Sequence, residues 1–301
     1  MPSVKLKNYL HLHFLVFIAG FTAILGELIT INAVALVWYR MVIALVLMLL
    51  FILIVRKSLK KPPKVIAKFL LAGICIALHW ITFFESINQA NISIALAMFS
   101  TGAFFASLIE PIFFKRKLIP YEIVFGLIVI GGVWLITKTE FQYINGIILG
   151  VVSALFSTLF AVINGLFIEK HDATIISFYE FIGGISCISI FLLTFDNGFD
   201  AAFFSLPAND WLYLFILGSV CTAYAFIAAV YVMRYISPYT VVLTYNLEPI
   251  YGIILAIILF PQKEIMGLEF YLGAILIIST VILNGILKNK HKNKKIRSFV
   301  D

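Results

Sequence analysis

The sequence predicts an all-α polytopic membrane protein, with ten transmembrane helices arranged as two inverted five-helix repeats. Three observations carry this prediction. First, 62% of the 301 residues are hydrophobic and 12% charged, with a mean hydropathy of +1.07. Soluble domains carry about 25% charged residues and cannot keep so much apolar surface dry. Second, the apolar residues fall into ten runs separated by short polar or basic loops. At about 1.5 Å of rise per residue, such runs cross a hydrocarbon core of about 30 Å. Third, features of the first half recur in the second at an offset of 145 residues, which lays Gly73 on Gly218.

In chain order the predicted spans are 10–29, 34–55, 65–86, 91–114, 121–137, 144–168, 174–195, 211–231, 238–260 and 267–287. The first run is too long for a signal-peptide core and has no small-residue cleavage site after it, so it is expected to remain as a span. Between the third and fourth spans only Asn88, Gln89 and Asn91 mark a turn. The longest outer loop, 196–210, carries Asp196, Asp200 and Asp210 and is too short to fold alone. The ninth span brings Asn246, Glu248 and Pro249 to mid-membrane depth. A carboxyl group there costs at least about 2.5–3.5 kcal/mol and is expected to face protein or water. Proline at the same depth withdraws one amide and frees the carbonyl of Tyr245, which calls for a polar neighbour.

Orientation follows from the lysines and arginines. With the N-terminus inside, 19 of the 22 basic residues fall in cytoplasmic segments, Lys138 and Lys263 fall outside, and Arg40 lies within a span. The positive-inside rule therefore places both termini in the cytoplasm, in a plasma (inner) membrane. The net charge of +7 reflects this loop bias and contact with anionic lipid headgroups, not nucleic-acid binding. The basic tail 288–297 is expected to anchor the last span, with a specific binding arm as the alternative. Cys75, Cys187 and Cys221 sit in apolar runs with neither a disulfide framework nor metal-ligand spacing.

At the 145-residue offset, His79 falls on Tyr224, Ser93 on Pro238 and Thr101 on Asn246. An offset of 140 lays Trp38-Tyr39-Arg40-Met41 on Phe178-Tyr179-Glu180-Phe181, and an offset of 147 lays Gly126 on Gly273. Five is an odd number of crossings, so the second set of helices enters the membrane upside down. Inverted repeats of this kind build secondary transporters, whose site lies near the midplane between the halves.

These stretches resemble the drug/metabolite transporter superfamily, of the EamA type. The residues that carry the likeness are Ala35-Leu-Val-Trp-Tyr-Arg40, Ile87-Asn-Gln-Ala-Asn-Ile-Ser-Ile-Ala-Leu96, Tyr235-Ile-Ser-Pro-Tyr-Thr-Val-Val-Leu243, Glu248-Pro249 and Gly273. The resemblance covers nearly the whole chain, with 1–141 as a first five-helix repeat and 142–301 as a second that ends in the basic tail. It implies export or exchange of amino acids, metabolites or related small solutes through a cavity between the halves. One departure stands in the fourth span, which has Ser100-Thr101-Gly102 where such proteins often carry a mid-helix proline, and Glu110-Pro111 late.

Candidate site residues follow from charge and aromaticity at depth. Arg40 lies about 9 Å below the outer surface by helix rise and cannot shed its charge. It is either a clamp on a solute carboxylate or half of a structural ion pair, with Glu27 at the outer end of the preceding span as the obvious partner. Glu248 can bind a solute ammonium or carry a proton; the alternative is a neutral acid bonded to a neighbouring helix. Glu180, at similar depth to Glu110 in the seventh span, is a further ion-pair or coupling candidate. Glu110 is expected to pair with Lys115 and Arg116, and Glu85 to reach headgroups. His79 with Phe83 forms one helical face and Trp80 with Phe84 the adjacent one. His79, Trp80 and, through the repeat, Tyr224 are expected as cavity walls, with packing as the alternative role; Asn246 joins Glu248. Gly183-Gly184 and Gly131-Gly132 permit close helix approach.

No Gly-x-Ser-x-Gly, phosphate-cradling loop or His-Glu-x-x-His occurs in the sequence, so catalytic equipment and a cofactor are not expected. The expected function is a secondary carrier that exports small metabolites by alternating access, with Glu248 cycling a proton. Its partners would be a small-molecule solute, membrane lipids and protons. A non-transporting scaffold or sensor is the alternative. A membrane-embedded enzyme would have only His79, Ser86 and Glu85, whose spacing does not share one helix face.

Overall fold

A computed structural model describes residues 4–115, 117–195, 198–232, 235–236, 241, 244–245 and 247–297. Among the described residues every regular element is helical. In order these are α1 (Val4–Leu28), α2 (Ala33–Ile54), α3 (Pro63–Gln89), α4 (Ile92–Phe99), α5 (Gly102–Phe114), α6 (Pro120–Thr139), α7 (Ile144–Phe167) and α8 (Ala173–Phe195). A four-residue α9 (Ala201–Phe204) follows, then α10 (Ala208–Gly218), α11 (Ala225–Val232), α12 (Glu248–Leu259), α13 (Pro261–Glu264) and α14 (Leu268–Arg297). Nine stretches of the described residues are long and apolar enough to cross a membrane, and α12 is the described part of the expected ninth of ten spans.

The doubtful division between the third and fourth spans is real and well capped. α3 ends at Gln89, and the Asn91 side chain accepts from the Ile94 amide at 2.8 Å, satisfying one orphan donor of the new helix. Two more are taken from across the molecule. The wholly buried Glu264 accepts from the amides of Ile92 at 3.0 Å and Ser93 at 2.9 Å. A carboxylate on the positive end of a helix is favourable both as a hydrogen-bond acceptor and through the dipole. It joins the first repeat to the segment before the last helix.

The fourth span breaks at Ser100 and Thr101, between α4 and α5. Serine and threonine replace the proline of the resemblance here by bonding back to the ladder, Ser100 to the Leu96 carbonyl at 3.1 Å and Thr101 to that of Met98 at 2.7 Å. Thr158 on α7 adds a bond to the Gly102 carbonyl at 3.1 Å. In the second half α12 starts at Glu248. Pro249 therefore sits in the first helical turn, where a missing amide costs little, and not in a helix interior as the sequence suggested. Asn246 lies outside the described residues.

The halves interlock. α3 packs on α7 and α8, α2 on α8 and α10, α1 on α11 and α12, and α6 on α14. Where α3 crosses α8 the backbones touch: a Cβ on Gly73 would strike the backbone of Glu180, and one on Gly183 the backbone of Leu70. A Cβ on Gly184 would lie 3.0 Å from the Gly73 carbonyl. Small residues allow this approach in the absence of any hydrophobic drive between helices. The second glycine pair divides its roles. Gly132 packs on α14, with the Gly273 carbonyl 3.0 Å from an added Cβ, whereas Gly131 has nothing within 4 Å.

The loop after α8 is not free. Asp200 caps α9, and Phe203 stacks on Tyr39 while Trp38 meets Phe199 and Phe203 edge-on or tilted. Asp210 is buried and accepts from the Thr30 amide and hydroxyl, the latter at 2.7 Å. At the opposite, basic face, Lys57 meets Asp172 at 2.8 Å. Partial burial works against the Asp172 carboxylate, but its hydrogen bond and charge interaction with Lys57 hold its pKa below the ordinary value.

Because the α3–α8 crossing has no room for a side chain, Gly73→Leu and Gly183→Leu should each abolish the monodisperse folded protein in detergent. Gly131→Leu, facing outward, should leave it intact. Size-exclusion chromatography of the three variants checks this.

Candidate functional site

At the centre of the bundle, walls from both repeats enclose a cavity of about 390 Å³. α2 contributes Arg40, α3 contributes His79, Trp80 and Phe83, and α12 contributes Glu248. The cavity continues along Asn164, Ser177 and Thr174 to Ile168 and Ala173, which flank the α7–α8 turn. It therefore extends toward the face that carries the basic loops. Toward the other face packing closes it: a Cβ on Gly26 would hit the Phe84 ring, and one on Gly252 the Leu96 side chain.

Arg40 is 3% exposed. Its Cζ lies 3.9 Å from the centroid of the Trp80 ring and 5.8 Å from that of Phe84, a cation–π arrangement that is stronger when desolvated. Nε donates to Thr222 Oγ1 at 2.7 Å. Nη1 is buried with no hydrogen-bond partner among the described residues. An unsatisfied guanidinium nitrogen at a cavity wall is a vacant donor for an anionic group.

The expected pairing of Arg40 with Glu27 does not form. Glu27 lies one residue from the end of α1 and Arg40 seven residues into α2, which separates them in depth by roughly 9 Å at helix rise. Glu27 instead meets Lys263 at 2.5 Å. Arg40 and Glu248 instead line the same cavity. Among the described residues the two form no salt bridge. The cavity thus carries a basic and an acidic side chain that are not paired with each other among the described residues.

His79 is buried against α7. Its Nδ1 lies 2.8 Å from Ser153 Oγ and 3.1 Å from the Ser153 carbonyl, and its ring stacks on Phe99 at 5.2 Å. A carbonyl only accepts, so Nδ1 carries the proton in that bond and Nε2 is left as an acceptor, with no partner among the described residues. Glu180 is wholly buried where α8 meets α3. Its Oε1 accepts from Asn164 Nδ2 at 2.7 Å, and Oε2 has no partner among the described residues. Asn164, not Glu180, lines the cavity.

Tyr224 is turned away. It is 41% exposed, and its hydroxyl meets His11 Nε2 at 2.8 Å on the outer surface of the bundle. The physical reason is a π-helical turn over Ser219–Tyr224, whose extra residue rotates everything after it relative to the straight α3. Cys221 and Ala225 line the cavity in its place. Thr222, which sequence reasoning missed, is the residue that this turn aims at Arg40; its hydroxyl donates to the Leu217 carbonyl five residues back at 2.7 Å. No spacing in the sequence signals such a turn.

A bundle of apolar spans in two repeats, with a mostly apolar cavity lined from both, has the architecture of a membrane transporter. The EamA-like transporter family matches residues 7–138 and again 144–286, and the chain belongs to that family. A solved crystal structure is similar with a TM-score of 0.64 at 13% identity, over 94% of this chain and 98% of its own, a likeness of fold. No curated protein matches.

Thr222→Val removes the hydrogen bond that holds Arg40 Nε and leaves a buried charged donor unpaired, at a cost of about 1–3 kcal/mol. It should lower the thermal midpoint in detergent, while Thr222→Ser should restore it. Thermal unfolding of the two variants side by side measures the difference.

Proposed function

We propose that this transporter moves a small zwitterionic or carboxylate-bearing metabolite, such as an amino acid, by alternating access of the central cavity. The observation that supports it best is the pair of opposed charges on the cavity wall, Arg40 with a vacant Nη1 and Glu248, between aromatic surfaces. Arg40 would take the solute carboxylate, Glu248 its ammonium, and Trp80, Phe83 and Phe99 its apolar part. His79 Nε2 would accept from a solute donor. Asn246 is kept as a neighbour of Glu248 in this reading, and Tyr224 as a surface residue beside the moving helices.

The basic loops favour a cytoplasmic location for the face toward which the cavity extends. Loading from that side makes export the working direction. Among the described residues nothing resembles a nucleotide site, so uphill transport would draw on an ion gradient or exchange. Glu248 is the proposed proton carrier because it is the acid on the cavity wall; Glu180, bonded to the cavity residue Asn164, is a second, relay position.

Reconstituted vesicles loaded with a panel of amino acids, amines and nucleosides test this. Efflux of the transported solute should respond to a pH gradient in the parent protein. Glu248→Gln should abolish that response at unchanged protein level, and Arg40→Gln should raise the half-saturation for carboxylate solutes by about tenfold or more. An unaltered pH response in Glu248→Gln rejects the proton role, and unaltered affinity in Arg40→Gln rejects the carboxylate clamp.

A further inference from the structure

At the face away from the basic loops lies a second cavity, a cleft of about 490 Å³ between the end of α1, the α3–α4 turn, the turn after α6 and the α12–α14 connection. It is separate from the central one. Thr22 and Phe83 line the central cavity, and Glu27 and Ile87 line the cleft. The four or five residues between them on α1 and α3 correspond to about 6–8 Å of helix rise. The packed Gly26–Phe84 contact fills that layer.

The cleft's charge is unbalanced. Lys263, its cation, is held by Glu27 at 2.5 Å. Glu264 behind it is committed to the amides of Ile92 and Ser93. Glu85 accepts from Gln89 at 2.7 Å and from Asn88 at 3.4 Å. Glu140 remains. It is 8% exposed, lines the cleft, and has neither an ion pair nor a side-chain hydrogen bond among the described residues. A second carboxylate, the exposed Glu269, stands at the edge of the cleft and not in its lining: a Cβ on Gly267 would meet Glu269 Oε2 at 3.4 Å and Glu140 Oε1 at 3.8 Å. Two like charges flanking one point, one of them nine-tenths buried, are stabilised by a cation between them.

We propose that this cleft is a binding site for the ammonium group of a small polar amine, received by Glu140 and Glu269. An ammonium has three donors to distribute. Besides Glu140, the cleft lining offers the amide oxygens of Asn88, Gln142 and Gln262. A divalent metal ion fits less well, since the described residues contain no group of three or more potential ligands among His, Cys, Asp and Glu. The site holds its ligand whether or not the central cavity carries a solute, so it stands apart from the transport reading.

The test uses the full chain in nanodiscs of uncharged lipid, with ethanolamine hydrochloride as probe against sodium chloride and magnesium chloride at equal ionic strength. Ethanolamine should raise the thermal midpoint of the parent protein and of Glu248→Gln equally, because binding to the folded state alone stabilises it. Glu140→Gln should weaken ethanolamine binding by about tenfold or more. Without amine, the same variant should melt no lower than the parent, since a repulsion has been removed. Gly267→Leu, which fills the space without removing a charge, should weaken binding as well. Saturation-transfer NMR on the ethanolamine methylenes reads binding independently of melting. The proposal is overturned if the parent does not respond, if sodium or magnesium stabilises as much as ethanolamine, or if Glu140→Gln binds like the parent. Loss of the response in Glu248→Gln would overturn it too, by assigning the amine to the central cavity.

Discussion

A backbone that crosses hydrocarbon must satisfy its own amides and carbonyls, because no water is there to do so. Three irregularities among the described residues are answered by named groups. The start of α4 is closed by Asn91 and Glu264, the α4–α5 break by Ser100, Thr101 and Thr158, and the π-turn by Thr222. These answering groups come from different helices, and two of them cross between the repeats. The same requirement that keeps the helices regular thus ties the two halves together wherever regularity fails.

The irregular places are also where the site lies. Thr222 answers the carbonyl of Leu217 and in the same position accepts from Arg40. Glu248 opens α12 in the turn that contains Pro249. The α4–α5 break follows Phe99, whose ring packs on His79. A straight helix would present only side chains to the interior. A broken one also turns backbone and short polar groups toward it, and the central cavity depends on that.

Much of this architecture was legible in the sequence because hydropathy and loop charge report directly on span number and order. The nine long spans fall close to the predicted intervals, and the turn at Asn91 was readable from three polar residues. Arg40, His79, Trp80 and Glu248 were picked out as charged or aromatic groups at depth, and all four line the cavity. What failed was azimuth. Glu27 was matched to Arg40 by proximity along the chain, although their depths differ and Lys263 lies nearer in space. Tyr224 was placed by its offset from His79, which holds only if both helices have the same pitch. Thr222, Ser153 and Asn164 are small polar residues in apolar runs, indistinguishable by type from ordinary helix hydroxyls and amides.

The extra residue in the eighth span has no counterpart in α3, which runs unbroken through the equivalent position. Exchanging the roles of the two repeats consequently cannot regenerate the same wall: histidine and tryptophan line one side, cysteine and alanine the other. If the two repeats exchange roles as proposed, a solute met from opposite faces of the membrane would encounter chemically different surroundings, and its half-saturating concentrations on the two sides would be free to diverge.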